Sequence, residues 1–285
     1  MRVVRHSTAQ SFQQQAFHYL LPREATHNLI LGVVSRYADG FPEDAYFSHV
    51  ENDEGAIVAV AMLTPPNGAV LSAVDDKSAI PVLVEDYAVV YNRLPSASGA
   101  VEDAKLFVEL WHERTGQPYH LHMQQGIYQL NKVIPVQNVS GEYRVATVNE
   151  RELLVDWVLA FAAEALNENI SRDDYGQVVD RKLENNLTNC LRLWWDNGQP
   201  VAMITSTRPT PNGVCVTWVY TPPDLRGRGY ASALTAAISQ ELLDSGKKFC
   251  SLYTDMSNPT SNKIYQNIGY ELVCHQHFYH FSDPV

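Results

Sequence analysis

The stretch that decides the fold reads Arg226-Gly227-Arg228-Gly229-Tyr230-Ala231 and joins a β-rich run to an amphipathic segment. The run before it, residues 214–220, has the composition of a strand. The segment after it places Leu234, Ile238 and Leu242 on one helix face. Glycines at the first turn of a helix let backbone N–H groups converge on an anion, and the helix dipole favours negative charge there. The pattern therefore predicts a strand, an anion-binding turn and a helix.

Other anion motifs fit this stretch less well. A Walker loop needs Gly-Lys followed by Ser or Thr, and the sequence has none here. A dinucleotide fingerprint needs a small third residue, Gly or Ala, where Ser232 stands. The remaining alternative is an ordinary strand-to-helix turn that happens to contain two glycines.

A second motif follows downstream and reads Asn258-Pro259-Thr260-Ser261-Asn262-Lys263-Ile264-Tyr265-Gln266-Asn267-Ile268-Gly269-Tyr270. It predicts a short, well-capped helix, because Asn258 suits the N-cap, Pro259 the first helical position and Gly269 the left-handed stop. Together, the two motifs resemble the cofactor site of the GNAT superfamily of N-acetyltransferases. The resemblance covers residues 141–281 and implies acetyl-CoA, bound through its coenzyme A part, as cosubstrate.

The resemblance also implies roles for individual residues. The strand before the turn would expose backbone groups to the pantetheine arm, and helix-start N–H groups would hold the pyrophosphate. The residues implied in cofactor binding are Val219, Tyr220, Thr221, Arg226, Gly227, Arg228, Gly229, Tyr230, Ala231, Ser232, Asn258, Ser261 and Asn262. Tyr265 would lie near the thioester sulfur, where a phenol can protonate the departing thiolate. The alternative for Tyr265 is a packed helix tyrosine.

A general base is not assigned by the sequence. Residues 214–220 contain no carboxylate, although some members of the superfamily carry a Glu on this strand. Glu164 and Asp255 are candidates that also fit surface or capping roles. Trp194, Trp195 and Trp218 are candidates for lining an acceptor pocket, although strand alternation makes some of them core residues.

Two similar segments indicate an internal repeat. Val60-Ala61-Met62-Leu63-Thr64 leads to Pro66-Asn67-Gly68, and Val201-Ala202-Met203-Ile204-Thr205 leads to Pro211-Asn212-Gly213. Gly68 and Gly213 stand 145 positions apart (213 − 68), about half of the 285 residues. We therefore predict an α/β (α+β) protein with two GNAT-like domains, residues 1–137 and 138–285, each a mixed, mostly antiparallel sheet flanked by helices.

The N-terminal copy is predicted to be degenerate. After Ala69-Val70-Leu71-Ser72-Ala73-Val74 comes Asp75-Asp76-Lys77-Ser78, with no glycine and two carboxylates that repel a pyrophosphate. This half would shape the acceptor site or a subunit contact. His27 and the pair His120 and His122 could be ligands, but the pair lacks a third ligand nearby in sequence, so no metal is predicted.

The composition narrows the class of protein. The formal net charge of −11 argues against a general nucleic-acid binder, which needs a basic face. The four cysteines form no C-x-x-C pair, and no apolar run is long enough to cross a membrane, so a cytoplasmic protein without membrane attachment is expected.

The predicted activity is transfer of an acetyl or other acyl group from acetyl-CoA to an amine of a small molecule or peptide by direct attack. The protein would act as a monomer or homodimer. The alternatives are a non-catalytic acyl-CoA-binding or regulatory module, and an interaction protein with no affinity for coenzyme A.

Overall fold

The computed structural model describes residues 1–37, 40–166, 171–184 and 187–282. The strands are β1 (Arg2–Arg5), β2 (Tyr46–Glu51), β3 (Ile57–Leu63), β4 (Ala69–Leu71), β5 (Ser96–Ala100), β6 (Tyr119–Leu130), β7 (Glu142–Val145), β8 (Leu191–Asp196), β9 (Gln199–Thr207), β10 (Gly213–Tyr220), β11 (Phe249–Asp255) and β12 (Glu271–Phe281). The α-helices are α1 (Ala9–Leu20), α2 (Asn28–Val34), α3 (Ala79–Val90), α4 (Val101–Thr115), α5 (Arg151–Phe161), α6 (Arg172–Leu183), α7 (Tyr230–Asp244) and α8 (Pro259–Ile268).

The chain divides into two compact units. The first contains the described residues of Met1–Ile127, Asp255–Ser257 and Leu272–Val285, and the second contains those of Tyr128–Thr254 and Asn258–Glu271. The sequence predicts a single division after residue 137. The structure divides the chain ten residues earlier and gives the last strand to the first unit, because β12 pairs with β5 from His280 opposite Ser96 to Gln276 opposite Ala100.

The first unit is a mixed sheet with helices on both faces. Its strands lie in the order β1-β2-β3-β4-β5-β12-β6, with antiparallel pairs from β1 to β4 and between β5 and β12, and a parallel pair of β4 and β5. Alternate residues of β3 enter different cores. Ala59, Ala61 and Leu63 pack with α3 and α4, while Val60 and Met62 pack with α1 and α2. The period of two along a strand produces this alternation.

A buried histidine anchors the start of α2 in this unit. The His27 Nδ1–H donates to the Leu20 carbonyl over 2.8 Å, and Nε2 accepts from the Ala73 N–H over 3.1 Å. Both bonds hold the ring in one neutral tautomer. Burial lowers the pKa of His27 from 6.5 to about 4. His27 is therefore engaged with backbone groups at both ring nitrogens.

The second unit repeats the strand arrangement of the first. Its strands lie in the order β7-β8-β9-β10-β11, antiparallel except for the parallel β10 and β11. Helix α5 and helix α6 pack on one face around Leu154, Val158 and Val179, and α7 packs against β8, β9 and β10. In each unit a single crossover leads from the first strand of the parallel pair to the second, and it contains helix α3 or helix α7.

The predicted α/β class is confirmed, and in each unit mixed, mostly antiparallel strands are flanked by helices. Among the helices of the described residues, none combines the length and the apolar character that a bilayer crossing requires. Cys190, Cys215 and Cys250 are buried as free thiols, and Cys274 is partly buried.

Candidate functional site

A bulge interrupts strand β10 shortly before it ends. β10 pairs with β11 from Gly213 opposite Phe249 to Cys215 opposite Ser251, and in this fully described stretch the ladder goes no further. On the other side, the register with β9 shifts between Thr217 and Tyr220, and Trp218 has a left-handed φ of +54°. A bulge bends its strand and breaks the ladder locally. The end of β10 therefore has an edge toward β11 that is open to an extended ligand.

The three residues predicted to face the pantetheine arm differ in how much of their backbone is open to a ligand. Tyr220 is still paired with β9 through Met203, so only its other edge is open. The Thr221 carbonyl already accepts a hydrogen bond of 2.9 Å from Arg226 Nε. Val219 lies inside the bulge and is partly exposed. The open edge is therefore centred on Val219 and Tyr220 more than on Thr221.

The turn after β10 has the backbone of an anion site. Gly227 and Gly229 have φ of +79° and +85°, a region that residues with a Cβ rarely adopt. Gly229 is the N-cap of α7 and caps it with no side chain. The first N–H groups of a helix lack partners within it, so those of Tyr230, Ala231 and Ser232 point outward at the positive end of the helix dipole. The predicted turn therefore presents converging donors.

Gly229 is required for steric reasons as well. A Cβ on Gly229 would come within 2.9 Å of Val139 Cγ2, whereas a Cβ on Gly227 would meet no atom within 4 Å. The segment that contains Val139 packs against the turn, so a side chain at residue 229 would have to displace Val139 or shift the turn.

The side chains around the turn fix its shape. Arg226 Nη2 donates to Glu164 Oε2 over 2.5 Å, and its guanidinium lies 5.8 Å from the Tyr220 ring centre. Tyr230 is buried and its hydroxyl donates to Asp196 Oδ2 over 2.6 Å. Tyr230 can therefore offer an anion its N–H but not its phenol. Ser232, in the same first turn of the helix, is partly exposed.

The exposed cations at the turn occupy different positions. Arg228 is exposed and donates to the Asp224 carbonyl over a long 3.3 Å, so its guanidinium remains accessible to a phosphate. Arg226 is held by Glu164, a residue of the π-helical turn Ala162–Leu166 that continues α5. No sequence pattern indicates this ion pair, because its partners are 62 residues apart.

Helix α8 has the caps that its sequence predicted. The Asn258 side chain accepts from the Ser261 N–H over 3.0 Å, and Gly269 ends the helix with φ of +107°. Asn262 and Tyr265 turn inward and are 9% and 8% exposed, while Asn258 stays exposed. The side-chain oxygen of Asn258 is thus committed to the cap, and contact with a ligand would use its remaining groups.

Tyr265 has the environment of a neutral phenol. Its ring contacts Tyr270 edge-on, with the ring centres 6.1 Å apart, and its hydroxyl makes no hydrogen bond with the described residues. Burial raises the pKa of Tyr265 above its ordinary value of 10.0. Neighbouring Tyr270 differs, because its hydroxyl shares a hydrogen bond of 2.8 Å with Ser239. Of the two, Tyr265 keeps an O–H that can be donated to a ligand.

The candidate bases have structural partners. Glu164 holds Arg226 and also accepts a long hydrogen bond of 3.4 Å from the Tyr220 hydroxyl. Burial of the ring raises the pKa of Tyr220, and the Glu164 carboxylate raises it further. Asp255 accepts hydrogen bonds from the N–H and hydroxyl of Ser257, over 2.8 and 2.7 Å. Both carboxylates therefore have the capping or pairing roles that were the alternatives to catalysis.

The three tryptophans are divided between packing and surface. Trp195 and Trp218 pack at the margin of the core formed by α5 and α6. Trp194 donates its indole N–H to the Ser140 carbonyl over 2.8 Å. Trp218 also lies 5.8 Å from the ring of Tyr175 and 5.2 Å from Lys182 Nζ. Trp218 is the tryptophan placed on the bulge itself.

A buried ion pair that the sequence did not reveal anchors α7 to the sheet. Arg192 of β8 is almost fully buried and donates through Nε and Nη2 to both carboxylate oxygens of Glu241, each over 3.1 Å. The Tyr143 hydroxyl donates to the same carboxylate. Bidentate Arg–carboxylate pairs are geometrically specific. This pair therefore orients the helix whose first turn forms the candidate anion site.

The histidine pair of β6 lies beside a third histidine, which the neighbouring sequence does not supply. His280 of β12 brings a ring nitrogen within 4.8 Å of those of His120 and His122. The sequence predicted no metal because neighbours along the chain supply no third ligand. Sheet topology places β12 beside β6, so the third ligand comes from 158 positions away (280 − 122).

Comparison with known proteins gives the family that this fold resembles. A strand broken by a bulge, a glycine turn and a helix with an uncapped N-terminus together suit a cofactor with an extended arm and a diphosphate. The family model described as "Acetyltransferase (GNAT) family" matches residues 154–270. Residues 154–270 therefore match the model of this family, and the predicted resemblance to it is confirmed.

Solved structures extend the fold over the whole chain. A GNAT-family acetyltransferase from Colwellia psychrerythraea is similar at a TM-score of 0.60 and 12% identity, covering 99% of both chains. A GCN5-related N-acetyltransferase from Sphaerobacter thermophilus is similar at 0.65 and 11% identity, covering 99% of this chain and 96% of its own. A tandem GNAT protein from the clavulanic acid biosynthesis pathway is similar at 0.50 and 11% identity over all of both chains. No curated protein matches the sequence.

Proposed function

We propose that this protein is an N-acetyltransferase that moves an acetyl group, or another short acyl group, from acetyl-CoA to an amine of a small molecule or peptide. Members of the GNAT family transfer acyl groups, and residues 154–270 match the model of that family. The acetyl-CoA donor and the amine acceptor are the parts that we propose.

The observation that carries the proposal is that two surfaces suited to a ligand, a strand edge and a helix N-terminus, follow each other in one chain segment. The open edge at Val219 and Tyr220 runs directly into the turn at Gly227 and Gly229. Coenzyme A has an extended pantetheine arm with amide groups and a diphosphate next to it. An extended arm suits a strand edge, and a diphosphate suits a helix N-terminus. An ordinary glycine turn would not require the bulge before it.

Tyr265 is the proposed acid. Its burial keeps the phenol protonated at neutral pH, and its O–H has no partner among the described residues. The amine would attack the thioester carbonyl, the C–S bond would break, and Tyr265 would deliver its proton to the departing thiolate. Asn258, Ser261 and Asn262 would flank the cofactor on the same helix.

A general base is not part of the proposal. Glu164 and Asp255 are engaged with Arg226 and Ser257, so the amine would enter as the neutral species and attack with its own lone pair, and the proton that its nitrogen then loses would leave through a water chain. The rival function is a non-catalytic acyl-CoA-binding module, which would use the same strand edge and turn. The phenol of Tyr265, which has no partner among the described residues, favours the enzyme.

The test uses the full chain with two probes. Calorimetry with coenzyme A and with pantetheine, which lacks the diphosphate, should show much weaker binding of pantetheine if the turn holds the diphosphate. Acetyl-CoA incubated with a panel of amines should release free thiol in the presence of the acceptor.

The outcomes separate the candidates. Binding of coenzyme A with thiol release on any amine supports the enzyme, and binding without release across the panel favours the binding module. Equal affinity for coenzyme A and pantetheine would remove the turn from the site. Absence of binding to either probe would leave only the interaction protein.

A further inference from the structure

Three histidines from two adjacent strands converge on the sheet of the first unit. His120 and His122 are two residues apart on β6, so their side chains leave the same face of the strand. His280 comes from β12, the neighbouring strand. One possible ligand nitrogen from each ring lies within 4.8 Å of the other two. Among the residues that the structure describes, these three histidines are the group of potential metal ligands whose ligand atoms all lie this close together.

We propose that His120, His122 and His280 bind one divalent late transition-metal ion, for which Zn²⁺ is the reference, and leave its fourth coordination position open. Neutral imidazole is a preferred ligand of Zn²⁺, Cu²⁺ and Ni²⁺, and three histidines with an open position form a known class of zinc site. A late transition ion is favoured over Mg²⁺ or Ca²⁺ because the group contains no carboxylate oxygen.

The distances fit with small side-chain movements. Tetrahedral zinc with Zn–N bonds of about 2.0–2.1 Å places its nitrogens about 3.3 Å apart. A separation at the upper limit of 4.8 Å must therefore shrink by about 1.5 Å. Rotation of the histidine side chains can supply this while the strands stay fixed, because His280 is held in register opposite Ser96.

The ring contacts show how the three side chains are arranged before an ion binds. The rings of His122 and His280 stack with centres 4.2 Å apart, and His120 lies 5.9 Å from His280. Phe278 packs edge-on against His122 and His280 at 5.5 and 5.0 Å. The phenyl ring thus borders both histidines, and their rings lie close together.

The alternative is a purely structural stack of aromatic rings. Against it, within the described residues the ring nitrogens of these three histidines make no hydrogen bond to protein groups, unlike His27, whose two nitrogens are both engaged. Their lone pairs therefore remain available. His120 is exposed and the other two are half-buried, so an ion can enter from solvent. An ion bound here would tie the last strand of the chain to β6.

The test is metal titration of the untagged full chain after chelator treatment and buffer exchange. Calorimetry with ZnCl₂ should show one ion per chain, and saturating Zn²⁺ should raise the thermal midpoint because it binds the folded state. His120→Ala, His122→Ala and His280→Ala should each weaken binding by at least about tenfold, since loss of even an outer-shell partner costs about 10–100-fold.

His275→Ala is the matched control, because His275 is an exposed histidine of the same strand β12 outside the cluster. The affinity of the His275→Ala variant for Zn²⁺ should equal that of the wild type. The thermal midpoints of the metal-free variants, and especially of exposed His120→Ala, show whether a variant is folded. Substitution with Co²⁺ should give a tetrahedral visible spectrum that each cluster variant loses. No Zn²⁺ binding by the wild type, or binding that survives all three cluster substitutions, would overturn the proposal.

Discussion

Replacing Gly229 with alanine imposes two separable costs on the turn before α7. The first is conformational, because residue 229 has φ of +85° and a Cβ in the left-handed region costs about 1–2 kcal/mol. The second is steric, because the new Cβ would lie 2.9 Å from Val139 Cγ2. Relieving that contact requires a shift of the turn or of Val139. We expect Gly229→Ala to lower the free energy of unfolding by about 2–3 kcal/mol in total.

Two further variants separate these costs. Gly116 ends α4 with φ of +73°, and a Cβ at this position would meet no atom within 4 Å, so Gly116→Ala carries the conformational cost alone. Val139→Ala removes the atom that Gly229→Ala would strike. The double variant Gly229→Ala, Val139→Ala should therefore recover the steric part, seen as a favourable coupling energy in a double-mutant cycle.

The assay combines urea unfolding with calorimetry of coenzyme A binding. The left-handed conformation at Gly229 aligns the N–H groups of the first turn, so Gly229→Ala should weaken coenzyme A binding at least about tenfold, which is about 1.4 kcal/mol. Gly116→Ala should lose stability without losing affinity. The reasoning fails if Gly229→Ala binds coenzyme A as the wild type does, or if Gly116→Ala weakens binding equally.

Three other substitutions test the site and its support. Tyr265→Phe should lower kcat, measured by thiol release at saturating substrate, by roughly 10²–10⁴-fold with little change in coenzyme A affinity. An unchanged kcat would show that the phenol takes no part in the reaction. Arg192→Ala leaves Glu241 without its buried partner and should lower the free energy of unfolding, measured in urea, by about 3 kcal/mol. Arg172→Ala removes an exposed ion pair and should change that free energy little. Equal effects of the two substitutions would contradict the burial argument. The pKa of His27 is about 4 in the folded state and 6.5 in the unfolded state. The unfolded state therefore binds more protons between these pH values, so the free energy of unfolding falls as the pH drops from about 6.5 toward 4. His27→Gln should flatten that decline in thermal midpoint, and an unaltered slope would show that other groups cause it.

The elements with local signals were predictable from the sequence. The β-rich run at residues 214–220 is the body of β10, and the amphipathic segment that follows the glycine turn is α7. The start of α8 was predicted from Asn258 and Pro259 and its end from Gly269, as the caps show. In each case neighbouring residues carry the information, as strand composition, helical periodicity or capping.

Strands defined by distant partners were missed. β5 (Ser96–Ala100) consists of small residues with little strand preference, and its conformation comes from pairing with β4 and β12. β1 (Arg2–Arg5) is half charged and is a strand because it pairs with β2. The assignment of β12 to the first unit likewise depends on β5, which lies far earlier in the chain.

The candidate site shows the same division between local and distant information. Its glycine turn is local and was predicted. The Glu164–Arg226 pair, the packing of Val139 on Gly229 and the arrival of His280 beside His120 all join residues that are far apart in sequence. No spacing rule along one chain reports such contacts, because the fold alone brings these residues together.

The two strand-to-helix junctions show why only one half is suited to a diphosphate. Both lie between a parallel pair of strands, β4 to α3 in the first unit and β10 to α7 in the second. At the first, Asp75 pairs with Arg23 and Asp76 accepts hydrogen bonds from the N–H and hydroxyl of Ser78, which lower the pKa of Asp76.

A charged carboxylate therefore stands just before α3, and the first N–H groups of this helix are already engaged, because those of Ala79 and Ile80 donate to the Asp76 and Lys77 carbonyls. At α7 the N-cap is Gly229, which has no side chain, and the N–H groups of Tyr230, Ala231 and Ser232 have no partner among the described residues. Inserting glycines before α3 would not by itself create a second site, since Asp76 would still repel a diphosphate and residue 81 is a proline, which has no N–H to donate. The difference between the halves thus lies in what accepts from the first N–H groups of the helix, which is the backbone of the protein in the first unit and, as we propose, the cofactor in the second.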